Sequence, residues 1–266
     1  ADSTFTITLE KQKVPPSPIL FTPIPNTNYY YLSFTTFFEN AAEEIKNKLQ
    51  AANLTDKNPL IIDLRGNPGG LMGEAINLLN LFISDTNIVC SVIGQKDEVL
   101  DAYYLPNPAP FKDIPVVIII NNNSASSSEI FAAIMQEYDR ATIVGEQSLG
   151  KGLVQNTFDL RNGYELRLTT GRYLTSNGRW LQHFNFAEKF YKDDYDSTKV
   201  FYSKSGRILH SKKGVEPDIE ISDDDFSPLI QDLLNSKAFF YYINEINCNL
   251  NKDKPKQLKG KFILIN

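Results

Sequence analysis

Twice in this chain an apolar strand-like run stops at a turn of special residues and a helical pattern begins at once. Leu60–Leu64 reads LIIDL, a buried-strand pattern, and ends in Arg65-Gly66-Asn67-Pro68-Gly69-Gly70. Leu71–Ile83 then carries Ala75, Ile76, Leu79 and Phe82 at helical spacing. Ile114–Ile120 is the second such run. It meets Asn121-Asn122-Asn123 and a serine cluster before the helix-like Glu129–Glu137. Two strand–turn–helix units predict a layered α/β core. Each turn also sits where helix N–H groups lack partners and the helix dipole favours negative charge.

The remaining elements fill in around these units. Thr4–Leu9 alternates as a short strand, and Pro15, Pro16, Pro18, Pro23 and Pro25 make a connector after it. Tyr29–Phe34 reads as an aromatic strand, and Ala41–Ala52 as a helix with Asn40 as its N-cap. Ala141–Val144 reads as a strand and Gly145–Gly152 as a loop. Phe158–Leu160 and Tyr164–Thr169 flank Asn162-Gly163, a strong hairpin signal. Ser227–Ile246 has the pattern of a terminal helix, and Asn249–Lys261 that of a polar tail. The divisions expected are residues 1–25, 26–225 and 226–266.

With 266 residues the chain can build its core without staples. A net charge of −5 provides no basic field for nucleic acid. Pro115 interrupts the longest aliphatic run, and a membrane-spanning helix needs about 20 apolar residues. The start Ala1-Asp2-Ser3 carries no leader pattern and fits a processed or truncated N-terminus. Cys90 and Cys248 are the only cysteines, and His183 and His210 the only histidines. Neither pair has metal-ligand spacing, so no metal site is expected.

Ser124-Ala125-Ser126-Ser127-Ser128-Glu129 supports two readings. Ser126 and Glu129 match a capping box, which needs no chemistry to explain it. Alternatively, Ser126 is a nucleophile placed where backbone N–H groups can hold a negative oxygen. A serine hydroxyl needs a base. The candidates are His183, His210 or a neutral lysine. Lys151 lies between Gly150 and Gly152, where the backbone can come close. It reads equally as an ordinary solvated loop lysine. Gln155, four residues on, could orient its amine or be a plain strand residue. Gly69 and Gly70 are turn formers that could also offer an N–H. No dinucleotide or P-loop fingerprint is present.

Together the stretches LIIDLRGNPGG, PVVIIINNNSASSSEI, ATIVGEQSLGKGLVQ, YELRLTTGRYLTSNGR and KKGVEPDIEI resemble the carboxy-terminal processing proteases, Ser–Lys serine peptidases related to the tricorn-type peptidases. The resemblance runs from about Thr4 to Ile221. It implies an α/β fold with a crotonase-like ββα spiral core and a C-terminal helix. It further implies Ser126 as nucleophile, Lys151 as general base and Gln155 as the lysine's support, with no metal or organic cofactor. The oxyanion hole would be the N–H of Ser127 with that of Gly69 or Gly70. A protein or peptide substrate follows, cleaved in some members near its C-terminus, as does a bacterial envelope, periplasmic or secreted location.

The chain departs from the pattern in three places. Of the PDZ-type domain that usually precedes the core, residues 1–25 retain only a strand and connector, so capture of substrate tails is not implied. Gln182–Ser205 is an aromatic and charged insertion, read either as a surface excursion or as a substrate-facing flap. Ser127 replaces the usual alanine, with little consequence expected. Two rivals stand beside the peptidase reading. One is a non-catalytic protein on the same fold that captures apolar ligands or unfolded tails. The other is a crotonase-like acyl-CoA enzyme, which leaves the lysine loop unexplained.

Overall fold

The apolar runs become the middle of a six-stranded sheet. The computed structural model describes residues 19–182, 199–211 and 214–222. Strand β1 (Leu20–Pro23) pairs antiparallel with β2 (Tyr30–Ser33). Pro23 cannot donate to a ladder, and it sits on this outer strand, where that costs nothing. Helix α1 (Ala41–Ala51) follows, burying Ala41, Ala42, Ile45 and Leu49. Asn40 stands at its N-cap position in a left-handed conformation (φ 67°), but its side chain makes no capping bond. The Ala42 N–H instead donates to Glu74 Oε2 at 2.9 Å, so a neighbouring helix supplies the cap.

β3 (Leu60–Asp63) pairs parallel with β2, and α2 (Met72–Leu79) follows its glycine turn. β4 (Asp85–Ile93) and β5 (Val99–Leu105) form an antiparallel hairpin that the sequence reading left unassigned. β6 (Val116–Ile120) pairs parallel with β3 and leads to α3 (Ser127–Glu137). β7 (Ala141–Gly145) pairs parallel with β6. β-branched residues dominate β6, as suits a strand flanked by parallel neighbours. Every residue of α3 is buried, the apolar centre Ile130–Met135 in the core and the polar residues at both ends against the turns that they bond.

β8 (Leu153–Asp159) and β9 (Glu165–Thr175) pair antiparallel around Asn162 (φ 66°) and Gly163 (φ 76°), the left-handed pair that the Asn-Gly signal anticipated. β9 also pairs with β4, giving a second sheet ordered β5-β4-β9-β8. β10 (Phe201–Tyr202) and β11 (Ile208–Leu209) form a small hairpin. β12 (Ile219–Glu220) completes the first sheet, ordered β1-β2-β3-β6-β7-β12. One continuous core joins these layers, including Leu32, Ile45, Ile62, Leu79, Ile118 and Phe131. No helix among the described residues is long and apolar enough to cross a membrane.

The residues up to Ile221 belong to one unit, and Ser222–Asn266 to a second of which only Ser222 is described. The strand at Thr4–Leu9, most of the proline connector and the helix at Ser227–Ile246 lie outside the described residues. So do His183 and positions 183–198 of the insertion. The insertion's last residues are described: Phe201 and Ser203 are buried, and the Lys204 N–H donates to the carbonyl of Glu137 at the end of α3.

Candidate active site

The two turns singled out in the sequence pack against each other. Asp63 anchors the start of the first turn, accepting from the Arg65 N–H at 2.9 Å, the Arg65 guanidinium at 2.7 Å and the Tyr31 hydroxyl at 2.7 Å. Burial alone would raise the Asp63 carboxyl, but the bonds from Arg65 and then Tyr31 hold it below the usual carboxylate range. Asn67, fully buried, is the hinge of the turn. Its amide donates to the Phe34 carbonyl at 2.9 Å, and its Oδ1 accepts from the Gly69 N–H at 3.0 Å.

The serine cluster stitches the second turn to the first. Ser124 Oγ donates to the Leu64 carbonyl at 2.8 Å, Ser128 Oγ to the Asn67 carbonyl at 3.0 Å and Ser127 Oγ to the Gly70 carbonyl at 2.9 Å. The Ala125 N–H donates to the Asn67 carbonyl at 3.0 Å. Serine at 127 therefore contributes a tie that alanine would lack. The contact at Gly69 is closest: a Cβ added there would lie 2.8 Å from the Ala125 carbonyl oxygen and from Ser126 Cβ. Gly69 also holds φ +101°, so the position admits only glycine without strain.

Ser126 stands at the N-cap of α3 with φ 57° and ψ −118°. That is a strained conformation for a residue with a side chain, of the kind that concentrates at functional sites. The arm of the capping box read from the sequence is present: the Ser126 N–H donates to Glu129 Oε2 at 2.8 Å. Glu129 does more than cap. The same Oε2 accepts from the Lys151 N–H at 2.7 Å, while Oε1 accepts from the Gly150 N–H and from Ser148 Oγ, both at 2.6 Å. One buried carboxylate thus joins the nucleophile turn to the lysine loop, and the amides of Ser126 and Lys151 lie within two hydrogen-bond lengths of each other. Burial pushes the Glu129 carboxyl above the range of an exposed glutamate, and the bonds from Ser148, Lys151, Gly150 and Ser126 oppose that rise.

The lysine loop is fixed from outside as well. The Leu149 N–H donates to the Ser124 carbonyl at 3.0 Å and the Ser148 N–H to the Val215 carbonyl at 3.1 Å. The Val215 N–H returns to Ser148 Oγ at 2.7 Å. Gly214 lies so close that an added Cβ would fall 2.6 Å from Ser148 Oγ. Buried Gln182 accepts from the Gly152 N–H at 2.9 Å, and the Trp180 indole donates to the Gly152 carbonyl at 3.1 Å. Two exposed leucines, Leu71 and Leu149, occur beside Gly70 and Gly150.

Of the residues named from the sequence, Ser126, Ser127, Gly69, Gly70 and the backbone of Lys151 come together. Gln155 lies on β8, exposed, and makes no side-chain hydrogen bond among the described residues. His210 pairs with Glu216 at 2.6 Å. Of the candidate oxyanion donors, the N–H of Ser127 and that of Gly70 have no protein acceptor among the described residues, whereas the Gly69 N–H is engaged by Asn67. The Gly69 carbonyl accepts from the Phe37 N–H at 2.9 Å and from Thr36 Oγ1 at 2.7 Å. In a planar trans peptide the Gly70 N–H therefore points away from that segment. Sequence reasoning missed Asn67, Ser148 and Gln182. It read Glu129 only as half of a cap, because a local motif does not reveal a second loop arriving from 19 to 22 residues away.

Comparisons with known proteins bear on this arrangement. The family model described as peptidase family S41 matches residues 28–187. The chain is 33% identical over 171 residues to the carboxyl-terminal-processing protease of Synechocystis sp., covering 63% of this chain and 39% of that protein. It is 32% identical over 174 residues to the carboxy-terminal processing protease CtpA of Bacillus subtilis, covering 64% and 36%. The chain thus spans little more than a third of the length of these two relatives. Among solved structures, the photosystem II D1 C-terminal processing protease superposes with a TM-score of 0.57 at 24% identity, covering 79% of this chain and 50% of that one. That likeness establishes the shared α/β fold.

Proposed function

Because the chain belongs to peptidase family S41, we propose that it is a serine peptidase acting on protein substrates through Ser126 and Lys151. The observation that carries this reading is the shared Glu129 oxygen. It sets the Ser126 and Lys151 backbones side by side, next to two N–H groups with no protein acceptor among the described residues. Lys151, in its neutral form, takes the proton of Ser126 Oγ as that oxygen attacks the scissile carbonyl carbon. The N–H groups of Ser127 and Gly70 hold the resulting oxyanion, aided by the α3 dipole. Protonated Lys151 passes its proton to the leaving amine, and the C–N bond breaks. Water then attacks the acyl-enzyme with Lys151 again as base. Gln155 is assigned to orient the lysine amine in the substrate complex, since catalytic hydrogen bonds often tighten only there. Cleavage near substrate C-termini and an envelope or periplasmic location extend the proposal by analogy with the family.

Fluorophosphonate labelling and kcat/KM on an unstructured protein test the reading in wild type, Ser126→Ala and Lys151→Arg. Labelling and turnover are expected in wild type alone, because arginine stays protonated and cannot act as a base. An active Lys151→Arg enzyme would place the base elsewhere.

A further inference from the structure

The β8–β9 hairpin reaches beyond the rest of its sheet. β4 pairs with β9 only from Arg172 to Thr175, so Gln155–Thr169 continues as a two-stranded ribbon. Register places Phe158 opposite Leu166 and Asn156 opposite Leu168. Leu160 and Tyr164 extend the same face, joined by a 2.7 Å bond from the Leu160 N–H to the Tyr164 carbonyl. Phe158, Leu160, Tyr164, Leu166 and Leu168 are each at least 40% exposed. The other face carries Thr157, Asp159, Glu165 and Arg167. Among the described residues β8 pairs only with β9, which leaves its outer edge open.

A contiguous apolar face on a projecting ribbon marks an interaction surface, and an open strand edge is a template for a further strand. We propose that this face, together with the β8 edge, is an exosite for an extended apolar stretch of substrate polypeptide. The proposal rests on the peptidase reading above. Its location supports a substrate as occupant: β8 begins at Leu153, two residues after Lys151, so the edge leads outward from the catalytic lysine. A strand rises roughly 3.3 Å per residue, which puts Leu160 roughly 30 Å along the chain from Lys151. A polypeptide added to β8 would lay alternate side chains over the apolar face while a segment about nine residues away enters the site. The charged residues lie on the opposite face, so this one selects apolar rather than acidic or basic segments.

The test compares β-casein, unstructured and apolar, with a fluorogenic hexapeptide taken from one of its cleavage sites and too short to reach the ribbon. The Phe158→Thr/Leu166→Thr/Leu168→Thr protein keeps strand propensity and removes the apolar face. The ratio of casein to hexapeptide kcat/KM is expected to fall roughly tenfold to a hundredfold, through KM, as expected for removing leucine-sized contacts. Thr157→Ser/Arg167→Gln, on the polar face, should keep the ratio. Anisotropy of labelled casein with Ser126→Ala protein should show the same loss of binding when the three threonines are added. An unchanged ratio with unchanged casein binding overturns the exosite. So does a change in sedimentation from dimer to monomer accompanying the loss, which would make the face an interface between two copies. A wild type that cleaves neither substrate defeats the peptidase reading, while the anisotropy measurement still decides the surface. Should the triple variant not fold, Tyr164→Ser at the exposed tip must weaken casein binding in the same direction.

Discussion

Glu129 is the residue on which the assembled site depends most, and its substitution yields a graded expectation. Its carboxylate accepts four bonds, two at each oxygen. In Glu129→Gln the amide has one oxygen. Turned toward Ser126 and Lys151, it keeps both of those bonds and presents NH2 to Gly150 and Ser148. The Ser148 hydroxyl can reverse and accept, but the Gly150 N–H is left without an acceptor in a buried position. Such a group costs about 1–3 kcal/mol. The opposite rotamer would orphan two backbone N–H groups, so the first is favoured. Glu129→Ala removes all four acceptor contacts. Water can serve the half-buried Lys151 amide, but Ser148 and Gly150 are buried, and relief of the carboxylate's own desolvation offsets part of the loss. The net expectation is about 2–4 kcal/mol for alanine against about 1–3 kcal/mol for glutamine. Activity should follow the same order, with partial turnover for glutamine and little for alanine, because only alanine releases Ser126 and Lys151 from each other. Urea unfolding gives the stabilities, and kcat/KM on an unstructured protein gives the activities. If Glu129→Ala is no more damaging than Glu129→Gln on either measure, the clamp argument is wrong. The same follows if both remain within about threefold of wild type, under about 1 kcal/mol in barrier.

Three further outcomes follow from the same geometry. Ser126→Gly should be more stable than Ser126→Ala by about 1 kcal/mol, because glycine accepts φ 57°, ψ −118° without strain; equal melting temperatures would count against strain at this residue. Gly69→Ala forces a Cβ against Ala125 and Ser126 at positive φ and should cost at least about 2 kcal/mol in urea unfolding, with a fall in kcat as Ser126 is displaced. Asp85 is held down to about 2 by the Asn87 N–H and then by the Tyr138 hydroxyl, so its contribution is present above the unfolded carboxylate range near pH 4 and is lost as pH falls toward 2. Asp85→Asn should therefore destabilise at pH 7 and converge with wild type near pH 2, and parallel urea midpoints across that range would refute the assignment.

The local chemistry of the chain was sufficient to determine most elements. LIIDL and VVIII became neighbouring parallel strands because continuous β-branched and aliphatic runs suit burial on both faces. Asn162-Gly163 made its left-handed turn because those two residue types tolerate positive φ. Ser126 was visible as an N-cap position because the capping box is a four-residue signal. The hairpin of β4 and β5 was not visible. Asp97 supplies its positive-φ turn, and β4 gains its place by pairing with β9, a partner some 80 residues away in sequence.

The choice between the glycines was not legible either. Asn67 must first fold its side chain back onto the Gly69 N–H before the Gly70 N–H becomes the one without an acceptor among the described residues. Nor does the spacing of SASSSE and GEQSLGKG reveal that Glu129 spans both segments. A buried carboxylate takes whatever donors the tertiary structure delivers, and those donors come from a loop that the intervening strand β7 carries around to it. Sequence determined which residues could cap, turn and pack, because those are short-range steric and hydrogen-bonding preferences. Tertiary structure decided which of them share one oxygen, because that requires the whole sheet to bring distant turns to the same end.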